Sequence, residues 1–372
     1  MRTPLLVLAV TATALSPGVA SAQSSVTLYG TLATGLVYSP NVRGGAYAGE
    51  LDNDHWNSTV GLKGREDLGG GLSAVFNLQM AIRPSNGALS GAGGCTQLFC
   101  KAYVGLADAR LGTVTIGRQH DYMAELLPYQ ANYYSTTMAA HPGGIDRFNF
   151  PGVNNAIKYR NEQGPLTVGF MYALPDHAAT GQAFSGRTLS ALLAWSKNGF
   201  EAALAWSSFS DYALKPWSPT SGLGLPGGTF WGVNGTPGST AVVPLARLDM
   251  AGAGAGYTWG HARFAIGAFD VHLKGRDGQS ASMPIVNANA GYYVRSDVVL
   301  GFGYWHANFR AAQTHYDNVN VSADYFLSKS TDVFISPVYE HMSGHGLAQL
   351  FQLGSASGGN QFAIDIGIRH NF

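Results

Sequence analysis

Charge is scarce in this chain. Only 12% of its 372 residues are charged, about half of the roughly 25% usual in a soluble protein. So few charges do not easily wet a large soluble surface. Lys plus Arg and Asp plus Glu are equal at 22 each, so no basic field gathers nucleic acid and no acidic run keeps the chain disordered. Past the first 22 residues no apolar run approaches the ~20 residues of a membrane helix, which excludes a helical membrane protein. Cysteine is almost absent, with Cys95 and Cys100 alone. Abundant instead are Gly, at 49 residues, and aromatics, at 12%. Mean hydropathy is +0.02. Two classes fit: a charge-poor secreted β protein, or a transmembrane barrel whose strands expose one apolar residue in two.

The first 22 residues separate them further. Arg2, the apolar stretch Pro4 to Leu15 and the small residues Ala20-Ser21-Ala22 have the charge, apolar core and cleavage site of a secretory signal peptide. Cleavage after Ala22 leaves residues 23–372 as a single domain. Export to an oxidising compartment makes a disulfide the first reading of Cys95 and Cys100. No second Cys or His pair follows to complete a zinc site, and no cofactor motif stands up: Gly222 to Gly227 has the letters of a dinucleotide loop, but Pro226 stands where a helix would open.

The remaining chain reads as runs of eight to fourteen residues with period two, separated by Gly, Asn, Asp and Pro clusters. The last run is the clearest. Phe362, Ile364, Ile366, Ile368, His370 and Phe372 fall on one face, and Ala363, Asp365, Gly367, Arg369 and Asn371 on the other. Sixteen such runs are expected, from residues 24–38 to 360–372. Short turns alternate with the longer linkers 39–53, 84–96, 119–151, 211–244 and 343–359. That describes an all-β, 16-stranded antiparallel transmembrane barrel with short turns on one rim and long loops on the other. A propeller requires a regular blade period of about 40 residues, which is absent. Residues 119–151 are too long for an idle connection and carry Tyr122, Tyr129, Tyr133 and Tyr134 beside three acids. They can fold inward against the wall or form a surface loop, whereas 211–244, rich in Pro and Gly, is expected to be an irregular surface loop.

Particular residues then carry a family resemblance. The start Ser24 to Gly30, the block Gly61 to Leu72, Tyr103 to Leu106 leading to Gly117-Arg118-Gln119, Asn154 to Tyr159, Leu327 to Thr331 and the close Gly367 to Phe372 resemble the Gram-negative general porins, nearest to the betaproteobacterial and neisserial branch. The resemblance implies a bacterial outer-membrane barrel, a homotrimer, contact with outer-membrane lipid and lipopolysaccharide, and passive diffusion of ions and small hydrophilic solutes. It implies that 119–151 is a constriction loop within the pore. It also makes the terminal Phe372 a signal for the outer-membrane assembly machinery. Ala33, Thr59 and Ser330 depart from the family pattern, which leaves the sign of ion preference open.

A pore requires a wetted constriction whose radius and fixed charges decide what crosses. Strand parity nominates Lys63, Arg83, Lys101 and Lys158 as wall cations, with Arg65, Arg160 and Arg369 also facing inward, and the loop offers Asp121, Glu125 and Asp146. Opposed charges across the opening would set up a transverse field. The competing readings are a substrate-specific channel with a saturable site along the tyrosines, and an outer-membrane hydrolase. For the hydrolase the only candidates are His120-Asp121 and the His341/His345 pair, the latter lacking the Glu of a zincin.

Overall fold

The computed structural model describes residues 24–52, 56–89, 95, 98–130, 132, 136–142, 152–175 and 186–372. The expected signal peptide and Asp146 lie outside the described residues. The strands are β1 (Ser25–Val42), β2 (Gly45–Asp52), β3 (Thr59–Gly69), β4 (Leu72–Ala81), β5 (Lys101–Asp108), β6 (Gly112–Gln119), β7 (Val153–Gln163), β8 (Leu166–Ala173), β9 (Thr188–Lys197) and β10 (Phe200–Leu214). A short hairpin of β11 (Gly228–Phe230) and β12 (Val233–Gly235) follows. The rest are β13 (Val243–Trp259), β14 (Ala262–Gly275), β15 (Ser280–Arg295), β16 (Val298–Phe309), β17 (Thr314–Phe326), β18 (Thr331–Gly344) and β19 (Asn360–Asn371).

All of these except β11 and β12 join one antiparallel sheet that closes on itself. Closure is made by β19 on β1, from Thr31↔Asn371 to Tyr38↔Ile364. The backbone N–H groups of Gly30 and Phe372 each donate to the other's carbonyl, at 2.9 and 3.0 Å, so the terminal residue completes the seam. β2 and β3 pair with successive halves of β1, Thr34↔Asp52 above and Ser25↔Arg65 below. They are one stave in two pieces, and the barrel therefore has sixteen staves with no free edge.

Residues paired across neighbouring strands share a face, so one parity runs around the ring. Leu36, Val104, Ile116, Phe170, Leu204, Ile266, Phe302, Val321 and Ile366 lie exposed on the outside, as a lipid-facing band requires. The inner parity carries Lys63, Lys101, Lys158 and Arg369 in the pairs Lys63↔Asn77, Gln79↔Lys101, Lys158↔Met171 and Asp332↔Arg369. Stave heights are unequal. β5, β6 and β8 have eight residues each, whereas β13 has 17 and β15 has 16.

The interior differs from expectation in three places. The linker expected at 39–53 is mostly strand: β1 and β2 form a hairpin turned at Arg43 and Gly44, both at positive φ. The stretch between the runs expected at 261–273 and 285–296 is mostly strand as well, since β14 and β15 run up to a turn closed by Gly275 and Gln279. Most important, 215–242 is not a surface loop. Trp217, Leu223, Leu225 and Phe230 are buried against Leu245, Leu273, Phe309 and Tyr316 of the inner wall. Gln349 of the last long loop joins them, donating from Nε2 to the Ser218 carbonyl and accepting from the Gly224 N–H. Pro and Gly spacing reports irregular backbone but not which side of the wall it packs on. An apolar plug thus packs on the inner wall over β13 to β18.

Candidate constriction site

After Gln119 the chain turns off the end of β6 into the barrel. Asp121 caps a 3₁₀ turn, Tyr122–Leu126, that continues into a short helix α1 (Leu127–Gln130). Its carboxylate accepts from the Met123 N–H at 3.0 Å and from Ser207 Oγ at 3.0 Å. Ser190 Oγ accepts from the Tyr122 N–H at 2.9 Å and lies 2.8 Å from Ser207 Oγ. The start of the loop is therefore tied to the wall at β9 and β10.

The stretch from Pro128 to Ala139 is held as well. The Pro128 carbonyl accepts from the Arg263 guanidinium and from Asn289 Nδ2, each at 3.2 Å, and Arg263 is itself paired with Glu201. Asn287 donates to the Gln130 carbonyl. Farther along, Asn132 donates to Ser322 Oγ at 3.2 Å and the Ala139 carbonyl accepts from Trp305 Nε1 at 2.8 Å. Met138 and Ala139 reach Val37, Val338 and Ala363, so the loop crosses the lumen to β1, β18 and β19.

The wall makes room for it by omitting side chains. A Cβ on Gly169 would run into the Tyr122 ring, one on Gly252 into Leu126, and one on Gly254 into Tyr129. All three glycines lie on the inner parity. Tyr122 and Tyr129 are consequently buried. Burial pushes the Tyr129 hydroxyl up to about 12, with Glu201 adding to the shift, so the ring packs as a neutral group. Neither tyrosine lines the opening, and Tyr133 and Tyr134 lie outside the described residues.

Between its two anchors the loop presents Glu125. Its Oε1 lies 3.1 Å from Arg160 Nη1 on β7, and Arg160 also reaches Glu162 at 2.7 Å. Lys158, two residues away on the same face, donates to the His120 carbonyl at 2.9 Å and sits 4.0 Å from the centre of the Tyr122 ring. A cation against an aromatic face gains about 0.5–2 kcal/mol, which fixes the ammonium where it stands. Lys101, Glu125, Lys158 and Arg160 line one cavity of about 410 Å³. A second of about 230 Å³, lined by Trp56, Thr59, Cys95 and Cys100, shares Lys101 and His120 with the first. Those two residues mark the neck between them.

The structure thus brings Lys101 and Lys158 together with Glu125. Among the described residues, Asp121, Lys63, Arg83 and Arg369 lie elsewhere. Asp121 is 1% exposed and spent on anchoring. Lys63 stands over the Tyr29 ring, 5.0 Å from its centre. Arg83 lies past the end of β4 in a tight turn, its N–H donating to the Ala88 carbonyl. Arg369 is neutralised on the wall by Asp332 at 2.9 Å, with Asp324 at 3.7 Å. Phe372 ends the outer face of β19, with its ring over Gly30. Cys95 and Cys100 are joined in a disulfide with Cα atoms 4.8 Å apart.

Arg160 is the functional residue given too little weight from sequence, although its place two residues after Lys158 was the available signal. His120 at the neck and the Arg263–Glu201 clasp had none, since neither follows from alternation along one strand.

A closed barrel of sixteen staves, narrowed from within by a loop carrying one acid toward a basic wall, defines a pore protein. The profile of the Gram-negative porins matches residues 9–344, and the chain belongs to that family of the outer membrane. It is 31% identical over 207 residues to outer membrane porin protein 32 of Delftia acidovorans, covering 52% of this chain and 56% of that one. It is 30% identical over 176 residues to an outer membrane porin protein of Bordetella pertussis, covering 42% and 43%. The chain spans about half the length of these curated relatives. Among solved structures, the anion-selective porin from Comamonas acidovorans superposes with a TM-score of 0.74 at 22% identity, over 94% of this chain and all of that one. OmpT of Vibrio cholerae gives 0.68 at 14%, over 96% and 100%. At those identities the likeness is one of fold.

Proposed function

We propose that the chain forms a water-filled channel for passive diffusion of ions and small hydrophilic solutes, and that the channel prefers anions. The observation that carries this reading is the lining of one cavity: Lys101, Lys158 and Arg160 stand on its wall with one lining acid, Glu125, while Glu162, 2.7 Å from Arg160, offsets part of that charge. Low-dielectric walls focus such a charge excess, raising the local concentration of counter-ions. The positive side of the opening lies on β5 and β7 and the negative side on the inserted loop. Dipolar solutes orient in that field, while apolar ones must displace ordered water.

The low wall supports a homotrimer. Staves of eight residues, as in β5, β6 and β8, fall short of the ≈ 9–11 that cross a bilayer at the usual tilt. Their outward Val104, Leu106, Val114 and Ile116 are better covered by a second and third copy than by lipid. The taller staves would meet outer-membrane lipid and lipopolysaccharide. Phe372, exposed at the rim of the closing seam, is placed for recognition by the assembly machinery.

Planar-bilayer reversal potentials in a KCl gradient test the reading. Wild-type protein should show a higher permeability to chloride than to potassium, and Lys101→Glu should lower the ratio. An unchanged ratio would remove Lys101 from the constriction. In liposome swelling, uptake should fall with solute size without saturating.

A further inference from the structure

The Cys95–Cys100 disulfide lies beside the pore, where a stability role alone does not account for its place. Cys95 and Cys100 line the smaller cavity together with Lys101 and His120, and both are buried against Ala81. Cys100 is the residue immediately before Lys101, and Lys101 opens β5. We propose that this disulfide is a positioning element of the channel: it holds Lys101 at the neck between the two cavities and so sets the strength of the charge preference. This rests on Lys101 being a constriction cation.

The argument comes from where the ladder ends. On the β4 side Gln79↔Lys101 is the last pair, and on the β6 side pairing stops one residue earlier, at Ala102↔Arg118. Lys101 is thus the final rung on one side and has no partner on the other. Such ends fray, because few hydrogen bonds oppose the entropy of release. On the tall side of the barrel the strands are longer, 17 residues in β13 and 16 in β15. Here two hydrogen bonds extend the order upward: the Cys100 N–H donates to the Gln79 carbonyl at 2.7 Å, and Arg118 Nε donates to the Phe99 carbonyl at 3.0 Å. A covalent tie at Cys100 removes alternative conformations of this end from the ensemble. Lys101 is the residue that gains, because a lysine on a frayed end samples many positions and its charge at the neck is averaged over them.

The same tie shapes the upper cavity. Cys95 and Cys100 both line that cavity, so the sulfur bridge forms part of its wall beside Lys101 and His120. Opening it takes two electrons and two protons, one of each per sulfur. A dithiol reagent supplies them by closing into its own disulfide.

The test is a four-protein comparison of reversal potential and open-channel noise in planar bilayers: wild type, Cys95→Ala/Cys100→Ala, Lys101→Gln, and the triple variant. The cysteine variant should lose at least about half of the shift that Lys101→Gln loses, with increased noise. Adding Lys101→Gln to it should then change less than it does in the wild type. A disulfide that only stabilises the fold would lower the melting temperature and leave the permeability ratio where it was, and that result overturns the proposal. An unchanged ratio in Lys101→Gln itself instead overturns the constriction reading on which it rests. Should the double variant fail to assemble, wild-type protein reduced after folding, with both thiols confirmed by mass, carries the same comparison. There, a ratio equal to that of the oxidised protein refutes the proposal.

Discussion

Glu125 of the inserted loop and Arg160 of β7 meet at 3.1 Å, each about one-third exposed, in an ion pair that joins the inserted loop to the wall. Exposed pairs of this kind contribute little stability, typically 0–1 kcal/mol. Their importance here is electrical, because they determine how much of the basic wall is offset.

Glu125→Gln should therefore raise the preference for anions. One unit charge at about 4 Å in water is worth roughly 1 kcal/mol, which corresponds to about a fivefold change in the permeability ratio as an upper expectation. The shift should shrink in 1 M salt, where the screening length is about 3 Å. Reversal potentials at two ionic strengths check both parts, and an unaltered ratio at low salt would remove Glu125 from the field.

Ser207→Ala should loosen the start of the loop. It takes a donor from the buried Asp121 carboxylate, and leaving a buried acceptor short of a partner costs about 1–3 kcal/mol. Single-channel recordings should show more frequent partial closures at a given voltage, with the mean permeability ratio retained while the channel is open.

Gly254→Val should act from a position that no solute touches. The new side chain would occupy the seat of the Tyr129 ring. Overpacking of this sort costs about 1–3 kcal/mol, and the least costly relief is to push the loop off the wall into the opening. Conductance should fall while the barrel remains folded, which circular dichroism and heat-shifted mobility on a detergent gel would show.

Trp217→Ala should open the plug. The indole is 2% exposed and donates from Nε1 to the Pro226 carbonyl at 3.0 Å. Truncating a buried Trp costs about 3–5 kcal/mol, enough to release 215–242 without unfolding the barrel. Added protease should then cut within 215–242 in the variant and not in the wild type, and conductance should rise.

The barrel itself was legible in the sequence because period-two alternation is a local property: the faces assigned to residues 362–372 are the faces found. The loop at 119–151 was legible because its length demanded a role. What stayed hidden depends on contacts between distant segments. Asp121 reads as a pore acid until Ser190 and Ser207 are seen beside it. Trp217 reads as loop decoration until the inner wall at Leu245 and Phe309 is in view. Arg369 reads as a lumen cation, but the register places Asp332 directly across from it.

The run Ala251-Gly252-Ala253-Gly254-Ala255-Gly256 on β13 offers almost nothing to either side of the wall, alanines outward and glycines inward. A solute crossing the pore meets charges on β5 and β7, yet the space it has to do so depends on methyl groups that were never added to a stave across the barrel. Selection on permeability can therefore work at a distance through residue size alone, and relatives of this chain can differ in throughput while every charged residue at the opening stays the same.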